Sequence, residues 1–168
     1  MWCGVLVAFV VGIPTVLSLP WTNGPGKLAF LGGTTCVPLR PDQETLAAAP
    51  FTNRSGSTIT LGHTKLLTPR GLTVTATSVA DVHNTTSIGF GKLPVGPEHT
   101  DVWAERTAVD GRRVAAGETV DIVTTIALAP GATEASSSGM QLSYRVEGDP
   151  RMFVAVNEGT LLAQERCF

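Results

Sequence analysis

Short segments with alternating apolar and polar residues, each ending at a turn, restrict the fold of this chain more than any other feature. The clearest segment is Thr119–Leu128. One face of it carries Val120, Ile122, Thr124, Ile126 and Leu128, and the other carries Asp121, Val123, Thr125 and Ala127. A period of two residues is typical of a β-strand with one face in a core. About seven or eight such segments follow residue 43, with turns about every eight to twelve residues.

No window repeats apolar residues at helical spacing over three turns. The sequence therefore predicts an all-β domain over residues 44–168, an antiparallel immunoglobulin-like β-sandwich. In the strand Leu72–Val79, we expect Leu72, Val74 and Ala76 to share the buried face. In Gly139–Val146, we expect Leu142, Tyr144 and Val146 to point inward. His63 shares the parity of Ile59 and Leu61, which predicts a partly buried histidine, and Trp103 is predicted to fill the core from a strand.

The stretch from Trp2 to Trp21 carries no charged residue. Twenty helical residues cover roughly 30 Å, which is the thickness of a bilayer's hydrocarbon core. Trp2 and Trp21 stand at its two ends, where indole rings favour the membrane interface. Residues 1–21 are therefore predicted to form an N-terminal transmembrane helix. A signal peptide cleaved near Val16-Leu17-Ser18 and a buried soluble helix are the alternatives.

The charges beside this stretch do not set its orientation. No Lys or Arg precedes it, and Lys27 and Arg40 follow it, where the positive-inside rule prefers few. Residues 22–43, rich in Gly and Pro, read as a linker to the domain. Charged residues make up only 15% of the chain and its net charge is −2, so no basic surface is expected to attract nucleic acid.

Two cysteines bracket the domain and predict a disulfide. Cys36 lies near its start, and Cys167 is the last residue but one. Closing so long a loop stabilises a fold by roughly 4–5 kcal/mol in the chain-entropy model, and such bonds persist in oxidising compartments. Two free thiols are the alternative. No CxxC or HxxxH spacing suggests zinc.

A search for chemistry yields one metal hypothesis and no catalytic motif. His83 and His99 lie in or beside an irregular loop, and with Met140 or Met152 they are candidate copper ligands. GxSxG is absent, so no nucleophile is assigned, and no cofactor is expected. Two N-glycosylation sequons, at Asn53 and Asn84, are interpreted as chance matches because the composition looks bacterial.

Three segments carry a resemblance to a known group of proteins. They are FTNRSGSTITL near the first hairpin, AAGETVDIVTTIAL, and GMQLSYRV after it. With the apolar N-terminal segment and the Gly/Pro linker, the chain resembles small, uncharacterised membrane-anchored proteins of actinobacteria. The resemblance implies an extracytoplasmic β-sandwich and transfers no catalytic residue.

These observations favour a non-enzymatic, membrane-tethered extracytoplasmic domain that serves as an accessory or interaction module of an envelope protein complex. Its expected location is the plasma membrane, single-pass, with the C-terminal domain outside the cytoplasm, or secreted if the N-terminal segment is cleaved. Its expected partners are the membrane and an envelope protein. This hypothesis predicts a hydrophobic patch or an open sheet edge. A copper- or metal-handling β-sandwich is the alternative, and an enzyme ranks third.

Overall fold

The structure is a computed structural model that describes residues 22–23, 28–30, 34–82, 90–92 and 100–167. Its elements, in chain order, are β1 (Thr22–Asn23), β2 (Leu28–Phe30), β3 (Thr34–Pro38), β4 (Glu44–Asn53), β5 (Ile59–Leu67), β6 (Leu72–Asp81), β7 (Phe90–Lys92), α1 (Thr100–Ala104), β8 (Arg113–Val114), β9 (Thr119–Leu128), β10 (Glu134–Ser137), β11 (Gly139–Val146), β12 (Met152–Asn157) and β13 (Thr160–Gln164).

Two mainly antiparallel sheets enclose the main core. The first sheet has the strand order β1-β12-β11-β5-β8, and the second has the order β2-β4-β9-β6, with β7 also paired to β4. Phe51 and Ile122 of the second sheet pack in one buried cluster with Leu142 and Tyr144 of the first. This arrangement confirms the predicted all-β class and the antiparallel β-sandwich.

A third sheet, β10-β13-β3, covers one end of the sandwich. In it β3 runs parallel to β13, and Cys36 pairs with Leu162. Val37 and Leu39 are buried in a cluster with Ile126 of the second sheet. The predicted linker over 22–43 thus contributes strands to all three sheets. Pro38, one of the residues that suggested a linker, is the last residue of β3, and Val37 and Leu39 beside it are buried in the core.

The strand predicted from the clearest alternation is β9, and it is confirmed. It lies between β4 and β6, and seven consecutive residues from Val120 to Ile126 are buried. Its outer face is covered because Val123 packs with Leu46, Ala48 and Ala80 beneath residues of α1. Trp103 was predicted to lie on a strand, which is wrong: it belongs to α1 and packs half-buried against this outer cluster.

The predicted N-terminal transmembrane helix over residues 1–21 lies outside the described residues, as do Trp2 and Trp21. Within the described ranges, no helix has the length and apolar character that crossing a membrane requires.

A β-bulge in β5 explains why His63 is exposed and not partly buried as predicted. Leu61 pairs with Tyr144 and Thr64 pairs with Leu142, so β5 holds one more residue than β11 between these pairs. The extra residue reverses the inward parity, because side chains alternate between the two faces of a strand. After the bulge, Thr64 and Leu66 occupy the inward positions, and His63 faces solvent.

A second bulge changes β6 in the same way. Val74 pairs with Ile126 and Ala76 pairs with Thr125, so Thr75 is the additional residue. Leu72 and Val74 keep the predicted inward positions, but Ala76 moves to the outer face. The inward position passes to Thr77, opposite Thr124. The prediction that Ala76 shares the buried face was therefore wrong.

Position 62 in the β5 bulge lies so close to the Ser143 hydroxyl that an added side chain would collide with it. A Cβ on Gly62 would lie 2.6 Å from Ser143 Oγ, and that hydroxyl donates a hydrogen bond to His63 O. We expect Gly62→Ala to lower the free energy of unfolding by about 1–2 kcal/mol through overpacking.

Denaturant unfolding of the full chain measures this loss. Ser143→Ala, combined with Gly62→Ala, should restore most of the stability because it removes the obstructing hydroxyl. Gly56→Ala is the control, since a Cβ there meets nothing within 4 Å. Equal effects of Gly62→Ala and Gly56→Ala would contradict this interpretation of the bulge.

Candidate functional site

The two bulged strands border a gap between the first and second sheets. A cavity of about 280 Å³ opens there. Its lining is Thr64, Lys65 and Leu66 of β5, Pro69 of the turn, Leu72, Val74 and Thr77 of β6, Thr124 of β9 and Met140 of β11. These side chains are mainly apolar or carry a methyl group. Val74 occupies an inward position and is still 44% exposed, so the sheets leave this part of their inner faces uncovered.

The edge of β6 is open along the gap. In the second sheet β6 is the last strand and pairs with β9 alone among the described strands. Val79 exchanges two backbone hydrogen bonds of 2.9 Å with Thr107 on its outer side. Because alternate residues of an antiparallel strand direct their backbone groups to the same side, Thr77 also points its N–H and C=O outward. Within the described chain no strand meets those groups at Thr77.

The facing edge of β5 is open over its second half. Ile59 and Thr60 pair with β8, and Leu61 hydrogen-bonds through its N–H to Arg112 O and through its C=O to Gly111 N. Beyond Leu61, the described residues supply no partner strand on that side. Two open edges of different sheets therefore face the same cavity.

The chain itself closes one end of the gap. The segment 107–112 reaches β6 through Thr107 and β5 through Gly111 and Arg112. Between these contacts Val109 is only 6% exposed and belongs to the main core cluster. Arg112 also pairs with Asp81 at the end of β6, at 2.5 Å. This segment seals the sandwich with one apolar side chain and hydrogen bonds to both edges.

The turn from β5 to β6 closes the other end. Gly71 has φ +60°, and a Cβ there would collide with the backbone oxygen of Glu134 in β10. Arg70 exchanges backbone hydrogen bonds of 2.8 and 2.9 Å with Ser136 of the same strand. The turn is thus fastened to the third sheet, and the gap has two fixed ends.

The rim of the gap is basic. Lys65 lines the cavity, Arg70 lies in the turn at one end of it, and both side chains are exposed. From Ser57 to Ala80 the sequence contains no Asp or Glu. An approaching ligand therefore meets positive charge beside an apolar floor.

Of the predicted metal ligands, Met140 and Met152 lie among the described residues, and the metal hypothesis as a whole stays a prediction. Met140 is buried on the cavity floor. It lies opposite Asn157, five residues along β12 from Met152, which corresponds to about 17 Å. One ion cannot bind both sulfurs. His83 and His99 lie outside the described residues, and among the described ones no group of three or more His, Cys, Asp or Glu could hold a metal.

The predicted disulfide is present. Cys36 and Cys167 are bonded, with their Cα atoms 5.7 Å apart and a separation of 131 in sequence. The bond fastens the C-terminal end of the chain to β3. Because β3 also pairs with β13, covalent and hydrogen bonds hold the third sheet together.

Asn53 is a buried structural residue that the sequence did not reveal. Its Nδ2 donates hydrogen bonds of 2.9–3.0 Å to the carbonyls of Ser57, Val114 and Ala115. Its Oδ1 accepts from the N–H and the hydroxyl of Ser55. The residue is 0% exposed, so the amide of this sequon lies inside the folded protein. The available signal was an Asn before the turn residues Arg54 to Gly56.

Tyr144 is fully buried at the centre of the main core, which confirms its predicted inward position. Its hydroxyl has no hydrogen-bond partner among the described residues, and its ring stacks on Phe153 at 5.6 Å. Burial raises the pKa of the Tyr144 phenol above its ordinary value. A raised folded-state pKa means that stability is complete below pH about 10 and declines as pH rises from there through the folded pKa.

We expect the Tyr144→Phe variant to lack this alkaline loss and to be as stable as the parent at neutral pH, or more stable by about 1 kcal/mol. Tyr144 is the single tyrosine, so tyrosinate absorbance reports on it alone. In the parent chain, ionisation should appear together with unfolding. Free titration of a folded protein near pH 10 would contradict the burial of this side chain.

The fold and its covalent bond define a disulfide-linked β-sandwich domain. No protein-family model and no curated protein matches the chain. Among solved structures it is similar to the ASH/PapD-like domain 7 of human CEP192, with 9% identity, a TM-score of 0.46 and coverage of 96% of this chain and 98% of that one.

Two protease structures from Vibrio cholerae are also similar over part of their length. VesB shares 13% identity at a TM-score of 0.44, and VesC shares 13% at 0.39, each over 84% of this chain. The chain spans 33% and 24% of those proteins. At these TM-scores none of the three defines a function, and the sandwich assignment depends on the sheets of this chain.

Proposed function

We propose that this protein is a membrane-tethered extracytoplasmic interaction module, built as an immunoglobulin-like β-sandwich, that supports an envelope protein complex without catalysing a reaction. The observation that carries this proposal is the uncovered gap between β5 and β6. An exposed apolar inner face beside two unpaired strand edges is a typical place for another chain to bind.

Two separate observations, the disulfide and the apolar N-terminal stretch, support the proposed extracytoplasmic location. The Cys36–Cys167 bond is of the kind that persists in oxidising compartments. The apolar stretch from Trp2 to Trp21 supplies a tether of the right length. Non-reducing mass spectrometry of chain recovered from producing cells should find the two cysteines linked, and free thiols at both would contradict the location.

Site-specific photo-cross-linking in membranes of producing cells tests the interaction role. A photoreactive residue would replace, one at a time, the large hydrophobic residues that are exposed among the described ones, Val74, Val156 and Leu162. We expect a discrete adduct with Val74 and none with Val156 or Leu162, which lie on β12 and β13. Absence of an adduct at all three positions would contradict the role.

A further inference from the structure

The segment 107–112 shows what fits between the open edges of β5 and β6. It hydrogen-bonds to both strands and inserts Val109 into the core. Past Thr107 and Leu61 the same two edges continue, but the chain provides no further cover there among its described residues. The uncovered part has the same construction as the covered part: an apolar floor between two strand edges.

The backbone groups that no described residue pairs favour an extended ligand. Thr77 directs its N–H and C=O away from β9. Val74 does the same: Gly71 O accepts a hydrogen bond from Ala129 N on the β9 side, and successive residues direct their backbone groups alternately toward β9 and away from it. Backbone groups of this kind are satisfied by an added strand, as in β-augmentation. An apolar small molecule would leave them unpaired.

The charged side chains at the rim of the gap determine which ligand charge is favoured. Lys65 lines the gap and Arg70 lies in the turn at its end, both are exposed, and the sequence from Ser57 to Ala80 contains no Asp or Glu. A second copy of the chain would bring the same basic rim, and like charges facing each other oppose association. An acidic partner is attracted instead.

We therefore infer that the gap between β5 and β6 binds an extended segment of a partner protein whose alternate residues are apolar and whose intervening residues are acidic. The apolar side chains lie on Leu66, Leu72, Val74 and Met140, and the acidic ones face Lys65 and Arg70. The bound partner segment covers the part of the gap that residues 107–112 leave open. This inference rests on the proposed interaction role and names the partner's chemistry at that site.

Three labelled peptides about six residues long, the length of a typical strand, test the inference on the full chain. The first alternates valine with glutamate, the second alternates valine with lysine, and the third has the composition of the first with its valines consecutive. Fluorescence anisotropy measures binding. We expect the alternating glutamate peptide to bind about tenfold more tightly than the other two.

Variants of the rim and the floor sharpen the test. Lys65→Glu combined with Arg70→Glu should reverse the preference, so that the lysine peptide binds more tightly than the glutamate peptide. Val74→Asp should abolish binding of the glutamate peptide, since it places a carboxylate in the apolar floor. Arg166→Glu changes an exposed charge outside the gap and should leave binding unchanged. Thermal unfolding of each variant confirms that it is folded.

Several outcomes would overturn the inference. They are equal binding of the alternating and consecutive peptides, no preference between glutamate and lysine, displacement of the peptide by a fatty acid, and a cross-linked dimer of the chain through position 74. These results leave the interaction role intact if a partner protein is still captured in membranes at Val74, Val156 or Leu162. Absence of any adduct in membranes refutes the role itself.

Discussion

Removing the Cys36–Cys167 disulfide is expected to lower the free energy of unfolding by about 4–5 kcal/mol. The bond closes a loop across 131 residues, so the unfolded chain gains much conformational freedom when it is absent. The double substitution Cys36→Ser and Cys167→Ser should unfold at a markedly lower denaturant concentration than the parent under non-reducing conditions.

The control for this experiment is Cys3→Ser, which replaces the remaining cysteine and keeps the Cys36–Cys167 bond. Adding reductant to the parent should reproduce the behaviour of the double variant, and should leave that variant unchanged. A loss below about 1 kcal/mol would mean that hydrogen bonding of β3 to β13 alone holds the third sheet.

Replacing Asn53 by alanine is expected to destabilise the protein by about 3 kcal/mol, because breaking a buried hydrogen-bond network leaves its partners unsatisfied. Three carbonyls lose their donor, and the turn that follows β4 loses the acceptor of Ser55. The affected carbonyls include Val114 of β8, so the loss extends to the edge of the first sheet.

Two further substitutions, one at position 53 and one at position 54, serve as comparisons for Asn53→Ala. Asn53→Asp keeps an acceptor for Ser55 but loses the three donated hydrogen bonds, so we expect most of the destabilisation to remain. Arg54→Ala alters the exposed neighbouring residue and should change the free energy of unfolding by less than about 0.5 kcal/mol. Equal, small effects of Asn53→Ala and Arg54→Ala would contradict a structural role for the amide.

Alternation of side chains was sufficient to predict the strands that lie centrally. β9 and the inward residues Leu142, Tyr144 and Val146 of β11 follow from the period of two, because burial selects apolar residues at each inward position. The pairing of Cys36 with Cys167 was equally accessible, since the chain has few cysteines and two of them bracket the domain.

The gap was not accessible from the sequence. It depends on one additional residue in each of β5 and β6, and a bulge leaves little local signal: Gly62 in one case, and an ordinary run of Thr and Ala in the other. Those single residues moved His63 and Ala76 off their predicted faces. Which edges remain open is decided by pairing between distant segments, such as Val79 with Thr107, that alternation does not encode.

Backbone amide exchange in the full chain, with and without the alternating valine–glutamate peptide, tests the central claim most directly. Amides of Val74 and Thr77 should exchange rapidly in the free protein and slowly in the presence of peptide, because the bound segment accepts their hydrogen bonds. Amides of β9, already paired on both sides, should not change. Protection confined to β12 or β13, or no change at Val74 and Thr77 with peptide bound, would contradict the assignment of the gap as the binding site.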